Sequence, residues 1–475
     1  MTQSSHKLRL TALTAMVVGS MIGGGIFSLP QNMAQSAGAG ATLIGWAITA
    51  VGMLMLAFVF QTLANQKPEL DSGVYAYAKA GFGNYMGFSS AWGYWISAFL
   101  GNVSYFVLLF GTLGYFFPMF GDGNTVPAII GASILLWAVH FLILRGVKEA
   151  AFINQVTTVA KIVPLVMFII LAAVAFKLDV FTADFWGKGN IKLGSIVDQV
   201  RNMMLVTVWV FIGIEGASVY SARAEKRADV GRATVIGFLS TLLLLVLVNV
   251  LSLGVMSQPE LAGLKNPSMA YVLEHIVGHW GAIFIAIGLA ISLLGALLSW
   301  TLLCAEILFS ASRDQTMPRF LHKENANGVP ANALWLSNGG VQVFLIITLF
   351  AASTYTSLLL LATSMILVPY FLSTADGVMV AYKGDGYAEH GGNRNKDLLI
   401  AIVATLYSVW LIYAAGVQFL LLSALLYAPG AILYTKARKE CGQIVFTTIE
   451  KFIFAAAVIG AIAASYGLYT GFLKL

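Results

Sequence analysis

Charge is what this sequence has least of: only 10% of its 475 residues are Asp, Glu, Lys or Arg, against 59% that are hydrophobic. A mean hydropathy of +0.84 lies far outside soluble globular usage, so a water-soluble fold is excluded and the lipid bilayer becomes the solvent. Long polar connections are also missing. None exceeds about twenty residues, which leaves no room for an independent soluble domain or sensory module. With two cysteines, Cys304 in a predicted helix and Cys441 in a predicted cytoplasmic loop, no disulfide framework is expected. The chain has no Walker-type phosphate loop and no paired-carboxylate or Ser-His-Asp pattern, so neither nucleotide hydrolysis nor other catalysis is expected, and no cofactor is implied. Nucleic acid is an unsuitable partner, because the net charge of +6 comes from basic residues spread over many loops instead of one patch. The first ten residues, MTQSSHKLRL, lack an A-x-A-like cleavage site, so the first apolar run is expected to be a retained helix.

What fills the sequence is apolar stretches of about 20 residues, each enough to cross a hydrocarbon core of roughly 30 Å as a helix. Thirteen are predicted, centred near residues 22, 53, 100, 135, 163, 209, 243, 295, 342, 368, 407, 427 and 459, the eleventh and twelfth separated only around Gly416. The expected fold is therefore all-α and polytopic. With alternating loops, twenty of the 27 lysines and arginines fall on one side and five on the other, which puts the N-terminus in the cytoplasm and, after thirteen crossings, the C-terminus outside.

Two of these stretches carry glycine in mid-helix, where each costs about 1 kcal/mol relative to alanine. The first contains Gly23-Gly24-Gly25 and the second runs Trp209-Val210-Phe211-Ile212-Gly213-Ile214-Glu215-Gly216-Ala217-Ser218. They are the first and sixth stretches, so they hold corresponding positions in two five-helix halves, the pattern that points to a midplane site in an inverted-repeat carrier. Unwound backbone in lipid survives only where it is buried or lines a cavity. There the N–H groups of a resumed half-helix attract a carboxylate, and free carbonyls attract a cation; an α-amino acid carries both. Close helix packing by small residues is the plainer alternative.

Ionisable groups inside the membrane mark pathways. Glu215 lies in the second break, suited to balancing a cationic substrate or carrying a proton. Trp209, six residues earlier, offers an indole face for a guanidinium or ammonium group. Lys161 must be paired, bonded to carbonyls, neutral, or snorkelling from a helix end. Glu306 and Asp376 lie toward inner helix ends, as gate or ion-pair candidates, and Arg201 belongs at the outer interface. His275 and His279, four apart after Glu274, have the spacing to present two ligands from one helical face, but no metal site is expected.

GSMIGGGIFSLPQNMA from Gly19, WVFIGIEGAS from Trp209, LLSWTLLCAEILFSASRDQTMP ending at Pro318, and ILVPY from Ile366 to Tyr370 resemble the basic amino acid/polyamine antiporters of the amino acid/polyamine/organocation superfamily, most of all the bacterial arginine/ornithine antiporters. The resemblance covers nearly the whole chain. It implies a LeuT-like core of two inverted five-helix repeats over 1–382 (about 8–176 and 196–382), with three further helices over 397–475. It implies an inner-membrane location and basic amino acids and lipid as partners, and it is compatible with a homodimer. By motif, Met21, Gly23, Gly24, Gly25, Asn102, Trp209, Ile212, Glu215 and Trp300 would bind substrate: Trp209 would stack on the side-chain cation, and Ile212 would offer a carbonyl. Tyr94, Glu215, Lys161 and Glu306 would serve gating and coupling, with Tyr94 and Trp300 closing the site from either direction and the Lys161 ammonium standing where sodium-coupled relatives hold an ion. Related arginine/agmatine antiporters have a serine where this chain has Gly24, and isoleucine where it has Met21. A hydroxyl partner for the carboxylate is therefore missing, and a roomier pocket is expected. The activity implied is electroneutral exchange of arginine for ornithine; lysine/cadaverine, histidine/histamine or arginine/agmatine exchange and proton-coupled uptake are the alternatives. A membrane sensor or channel is a weaker fit, since no ring of repeated polar residues is present.

Overall fold

The structure is a computed structural model that describes residues 9–70, 73–146, 150–215, 225–226, 228–350 and 354–473. Every regular element among them is a helix, as expected for a chain whose backbone N–H and C=O groups must pair within each segment to enter lipid. Gly216, Ala217 and Ser218 of the second glycine-bearing stretch lie outside the described residues, as do Lys7, Lys148, Arg223, Arg227 and Lys474 of the basic-residue pattern.

Among the described residues nine helices are long and apolar enough to cross a membrane, or ten if Leu13–Met21 and Gly25–Ala34, bent by 44° at their junction, make one span. Three features account for the difference from thirteen. Helix Ala150–Ala175 counts only as the shorter apolar piece Ala160–Ala175. Helix Ile196–Trp209 ends at the second break. The eleventh and twelfth stretches run on as one long Arg394–Glu440 span, although Gly416 (φ 70°, ψ 169°) departs from helical geometry inside it.

Helix Asn84–Gly114 is buried along most of its length. It packs against Thr354–Lys383 and His279–Arg313, and so brings two of the helices that carry resemblance motifs to the centre. Polar cross-links inside the bundle join elements far apart in sequence: Thr49 donates to Thr207 at 2.9 Å and the Trp46 indole donates to Asn249 at 2.8 Å. Such bonds give a membrane bundle register that apolar contact alone does not. At the periphery, Thr448–Tyr469 leaves Ile449, Phe452, Ile459 and Ile462 exposed.

A hairpin of two short helices, Gln258–Ala262 and Ser268–Val277, is strapped to Gly25–Ala34. Gln258 donates to the Ala34 carbonyl at 2.6 Å, the Gln31 amide donates to Ser268 at 3.1 Å, and Asn266 donates to the Gln31 side chain at 3.1 Å. The half-helix that resumes after the first break is thereby held from outside its own span.

Candidate functional site

The two ends of the first break differ chemically. Helix Leu10–Met21 runs out at Ile22 (φ −77°, ψ 84°), where an α-helix leaves its last carbonyls without acceptable intrahelical donors. Lys161, 2% exposed, reaches across and donates from Nζ to the Gly19 carbonyl at 2.8 Å and the Ile22 carbonyl at 2.7 Å. The Lys161 amino group thus sits at the negative pole of the half-helix, bonded to carbonyls and not snorkelling to the interface. On the other side, Gly24 is the N-cap and Gly25 the first residue of the resumed helix, with no side-chain cap. The amides that open that helix belong to the set with no intrahelical acceptor, an arrangement that attracts anions.

Gly23 and Gly25 border a small cavity together with Met21, Ser97, Ala98, Gly101, Tyr105, Trp209, Val210, Ile212 and Trp300. Its volume of about 20 Å³ is room for roughly one water molecule. That is too little for an amino acid, so a ligand of that size would need this lining to part. Most residues implicated by sequence therefore converge. Gly24 and Asn102 lie just behind the lining: Asn102 is buried and its amide donates to the Cys304 sulfur at 3.8 Å.

The glycine triplet is required for space and not for backbone freedom, since none of the three is among the positive-φ glycines. A Cβ on Gly23 would overlap the Tyr105 hydroxyl. One on Gly25 would lie 2.8 Å from Trp209 Nε1, and one on Gly24 would lie 2.7 Å from Leu108 Cδ2 and 2.9 Å from Leu293 Cδ2. The space beside Gly24 is taken by the ends of those two leucine side chains.

The second break does use glycine's conformational range. After Trp209 the chain leaves the helix, and Gly213 takes φ +106°, a region closed to most L-residues. Its carbonyl accepts a hydrogen bond from Ser20 Oγ at 2.9 Å, and a Cβ there would come within 3.0 Å of the Ser20 carbonyl. The two breaks are thus in direct contact. Glu215, fully buried, does not line the cavity. It accepts from the Tyr94 hydroxyl at 2.6 Å, from the Tyr370 hydroxyl at 2.9 Å and from the Gly213 amide at 3.3 Å. Two phenols from different helices are therefore clasped to one carboxyl of the break.

Other candidates stand apart. Glu306 is exposed and accepts from Ser310, one turn along its own helix, at 2.9 Å; the structure does not bring it to the site. Asp376 is buried against Gly81. Arg201 lies 3.8 Å from Asp198 in its own helix. His275 and His279 do not share a helical face, because Gly278 (φ +85°) breaks the helix between them. His279 instead meets Tyr115 at 2.7 Å and Glu274 at 3.2 Å. Among the described residues no group of three or more His, Cys, Asp or Glu is placed to hold a metal ion.

Sequence reasoning gave no role to Ser20, Ser97, Gly101, Tyr105 or Tyr370. Four of them carried a usable signal. Ser97, Gly101 and Tyr105 repeat at fours along Asn84–Gly114, the face that also carries Tyr94 and Ala98, and Tyr370 closes the ILVPY motif.

A bundle of apolar helices long enough to cross a membrane, with a small cavity at two contacting helix breaks, has the architecture of an α-helical transporter. The chain belongs to the Amino acid permease family, whose sequence model matches residues 8–435. It is 72% identical to the arginine/ornithine antiporter of Pseudomonas aeruginosa, covering 100% of this chain and 99% of that one. It is 47% identical to the L-lysine transport protein of Corynebacterium glutamicum over 99% of this chain and 97% of that one, and 43% identical to the arginine/agmatine antiporter of Chlamydia felis over 92% and 91%.

Proposed function

We propose that the protein is a secondary antiporter that exchanges cationic α-amino acids, arginine for ornithine, by alternating access around the two breaks. The observation that carries the reading is the division of charge at the first break. Lys161 already fills the carbonyl end, so the open end is the amide end at Gly24 and Gly25, which suits a carboxylate. Trp209, on the cavity wall, is placed to stack on the side-chain cation, with Ile212 beside it to offer a carbonyl and Trp300 completing the enclosure. Tyr94, Glu215 and Tyr370 form a gate that opens when the Glu215 carboxyl changes partners. The arginine/ornithine relative supports this substrate pair, and exchange needs no separate ion: an empty carrier reorients slowly when its exposed dipoles lack a bound charge.

The core is proposed to be a LeuT-like pair of inverted repeats, about 8–176 and 196–382, followed by three helices over 397–475, thirteen spans in all. The protein is placed in the bacterial inner membrane, with its N-terminus cytoplasmic and its C-terminus periplasmic. The peripheral Thr448–Tyr469 face is available to a second copy in a homodimer. Lysine transport is the reading that the Corynebacterium relative favours, by exchange or by proton-coupled uptake.

Proteoliposomes loaded with ornithine are expected to take up labelled arginine rapidly, and those loaded with lysine, agmatine, histamine or nothing to take up much less. Equal uptake into empty vesicles would sink the exchange mechanism. A second expectation follows from Gly25. Alanine there places a methyl group 2.8 Å from the Trp209 indole nitrogen and shifts the ring off the cavity, lowering arginine affinity about ten-fold, or roughly 1.4 kcal/mol. Titration calorimetry on the purified variant checks this, and wild-type affinity would show that the indole position is immaterial.

A further inference from the structure

We propose that the Tyr105 hydroxyl is the side-chain donor to the substrate's α-carboxylate, and that it makes the site prefer amino acids over the amines formed when that carboxylate is lost. The inference rests on the cationic amino acid exchange proposed above and names a residue that decides its selectivity.

Three observations converge on this hydroxyl. Tyr105 lines the cavity, and its oxygen lies so close to the Gly23 backbone that a Cβ there would overlap it. It therefore stands one residue from the amides of Gly24 and Gly25, the anion-binding end of the break. Its ring is fixed against Trp209, with centroids 6.1 Å apart and planes inclined by 56°. The residue is buried in the bundle while bordering the cavity, so its hydroxyl is held where a ligand in the cavity can reach it.

Of the hydroxyls near the two breaks, those of Tyr105 and Ser97 belong to residues that border the cavity, whereas Ser28 and Tyr355, which lie beside each other and Trp209, do not. Position 24 is glycine, and the space where its side chain would project is filled by Leu108 and Leu293. Ser20 is engaged with the Val17 and Gly213 carbonyls. Ser97 lines the cavity but lies eight residues back on the same helix, about 12 Å away along its axis. Among the hydroxyls on the cavity wall, Tyr105 is thus the one beside the amides of Gly24 and Gly25. An O–H donor to a carboxylate forms a short, charge-assisted bond, and an amine that has lost its carboxylate no longer offers Tyr105 that acceptor.

The test uses the full-length protein, purified as wild type and as Tyr105→Phe, which keeps the ring against Trp209 and deletes only the hydroxyl. Affinities for arginine, ornithine and agmatine are measured by titration calorimetry. Arginine and ornithine should each bind about ten-fold more weakly to Tyr105→Phe, the size expected for one hydrogen bond to a charged group, while agmatine stays within about two-fold of wild type. Agmatine binding also verifies that the variant is folded. If all three ligands weaken equally, or none weakens while wild type binds them, the role of Tyr105 is overturned and the exchange reading stands. If wild type binds none of the three, the exchange reading falls and this inference falls with it.

Discussion

Lys161→Met is expected to reduce arginine/ornithine exchange in proteoliposomes to background, a loss of more than about a hundred-fold, while the purified protein stays folded. The separation follows from opposing contributions. Deleting the ammonium removes two hydrogen bonds from a charged donor, worth about 1.5–3 kcal/mol each. It also removes the cost of keeping a lysine charged at 2% exposure, which in buried sites is several kcal/mol. Methionine fills most of the vacated volume, so the balance on folding is a change of about 2 kcal/mol or less. Transport has no such compensation. Without the ammonium, the Gly19 and Ile22 carbonyls face the site as unneutralised acceptors, next to the amides proposed to hold the substrate. A carrier whose break gains negative potential binds a carboxylate poorly and attracts stray cations. Uptake by Lys161→Met is therefore also measured across a sodium series. Wild-type exchange by the variant would remove the structural-cation role. Obligatory sodium dependence in both proteins would refute the idea that the lysine stands in place of an ion.

How much of this site was legible beforehand varies residue by residue. The two breaks announce themselves because mid-helix glycine and an intramembrane carboxyl are costly in lipid, and nothing but the unwound backbone gives them a use. For Gly23-Gly24-Gly25 both unwinding and close packing were legible, but not the neighbours: the triplet keeps ordinary φ values and allows close approach by Tyr105, Leu108, Leu293 and Trp209, all of which come from other helices. Gly213 could not be distinguished from that triplet by sequence, yet it alone takes a positive φ. The same blindness to tertiary neighbours hid Tyr370, whose partner Glu215 is 155 residues away. Nor does sequence show that Glu306 is exposed and paired with Ser310 on its own helix, away from the cavity. For His275 and His279 the local pattern misled for a different reason: a four-residue spacing predicts a shared face only if the helix is continuous, and Gly278 ends it. Lys161 is the converse case, where sequence left several placements open and two carbonyl distances show its amino group bonded at the first break.

The second large effect is expected at Trp209. Trp209→Leu should weaken arginine binding by about thirty-fold or more, because a desolvated cation–π contact is worth about 2 kcal/mol, and leucine offers no ring quadrupole. The indole also has a packing role, standing against Gly25, Gly101 and Tyr105, so loss of binding in leucine alone would not separate stacking from wall-building. Trp209→Phe separates them. Phenylalanine leaves a similar void but keeps a π face, so its affinity for arginine should fall between leucine and wild type. For a neutral amino acid of similar length, such as citrulline, the two variants should be indistinguishable. Equal arginine affinities for the phenylalanine and leucine variants would reduce Trp209 to a wall of the cavity. The intermediate order, confined to cationic ligands, would locate the recognition of charge in the indole, leaving Glu215 to its clasp with Tyr94 and Tyr370. That division suits an exchanger. A carboxylate held by two phenols and an amide is neutralised without substrate, so the cation is read by a group that does not have to change its partners each time the site empties.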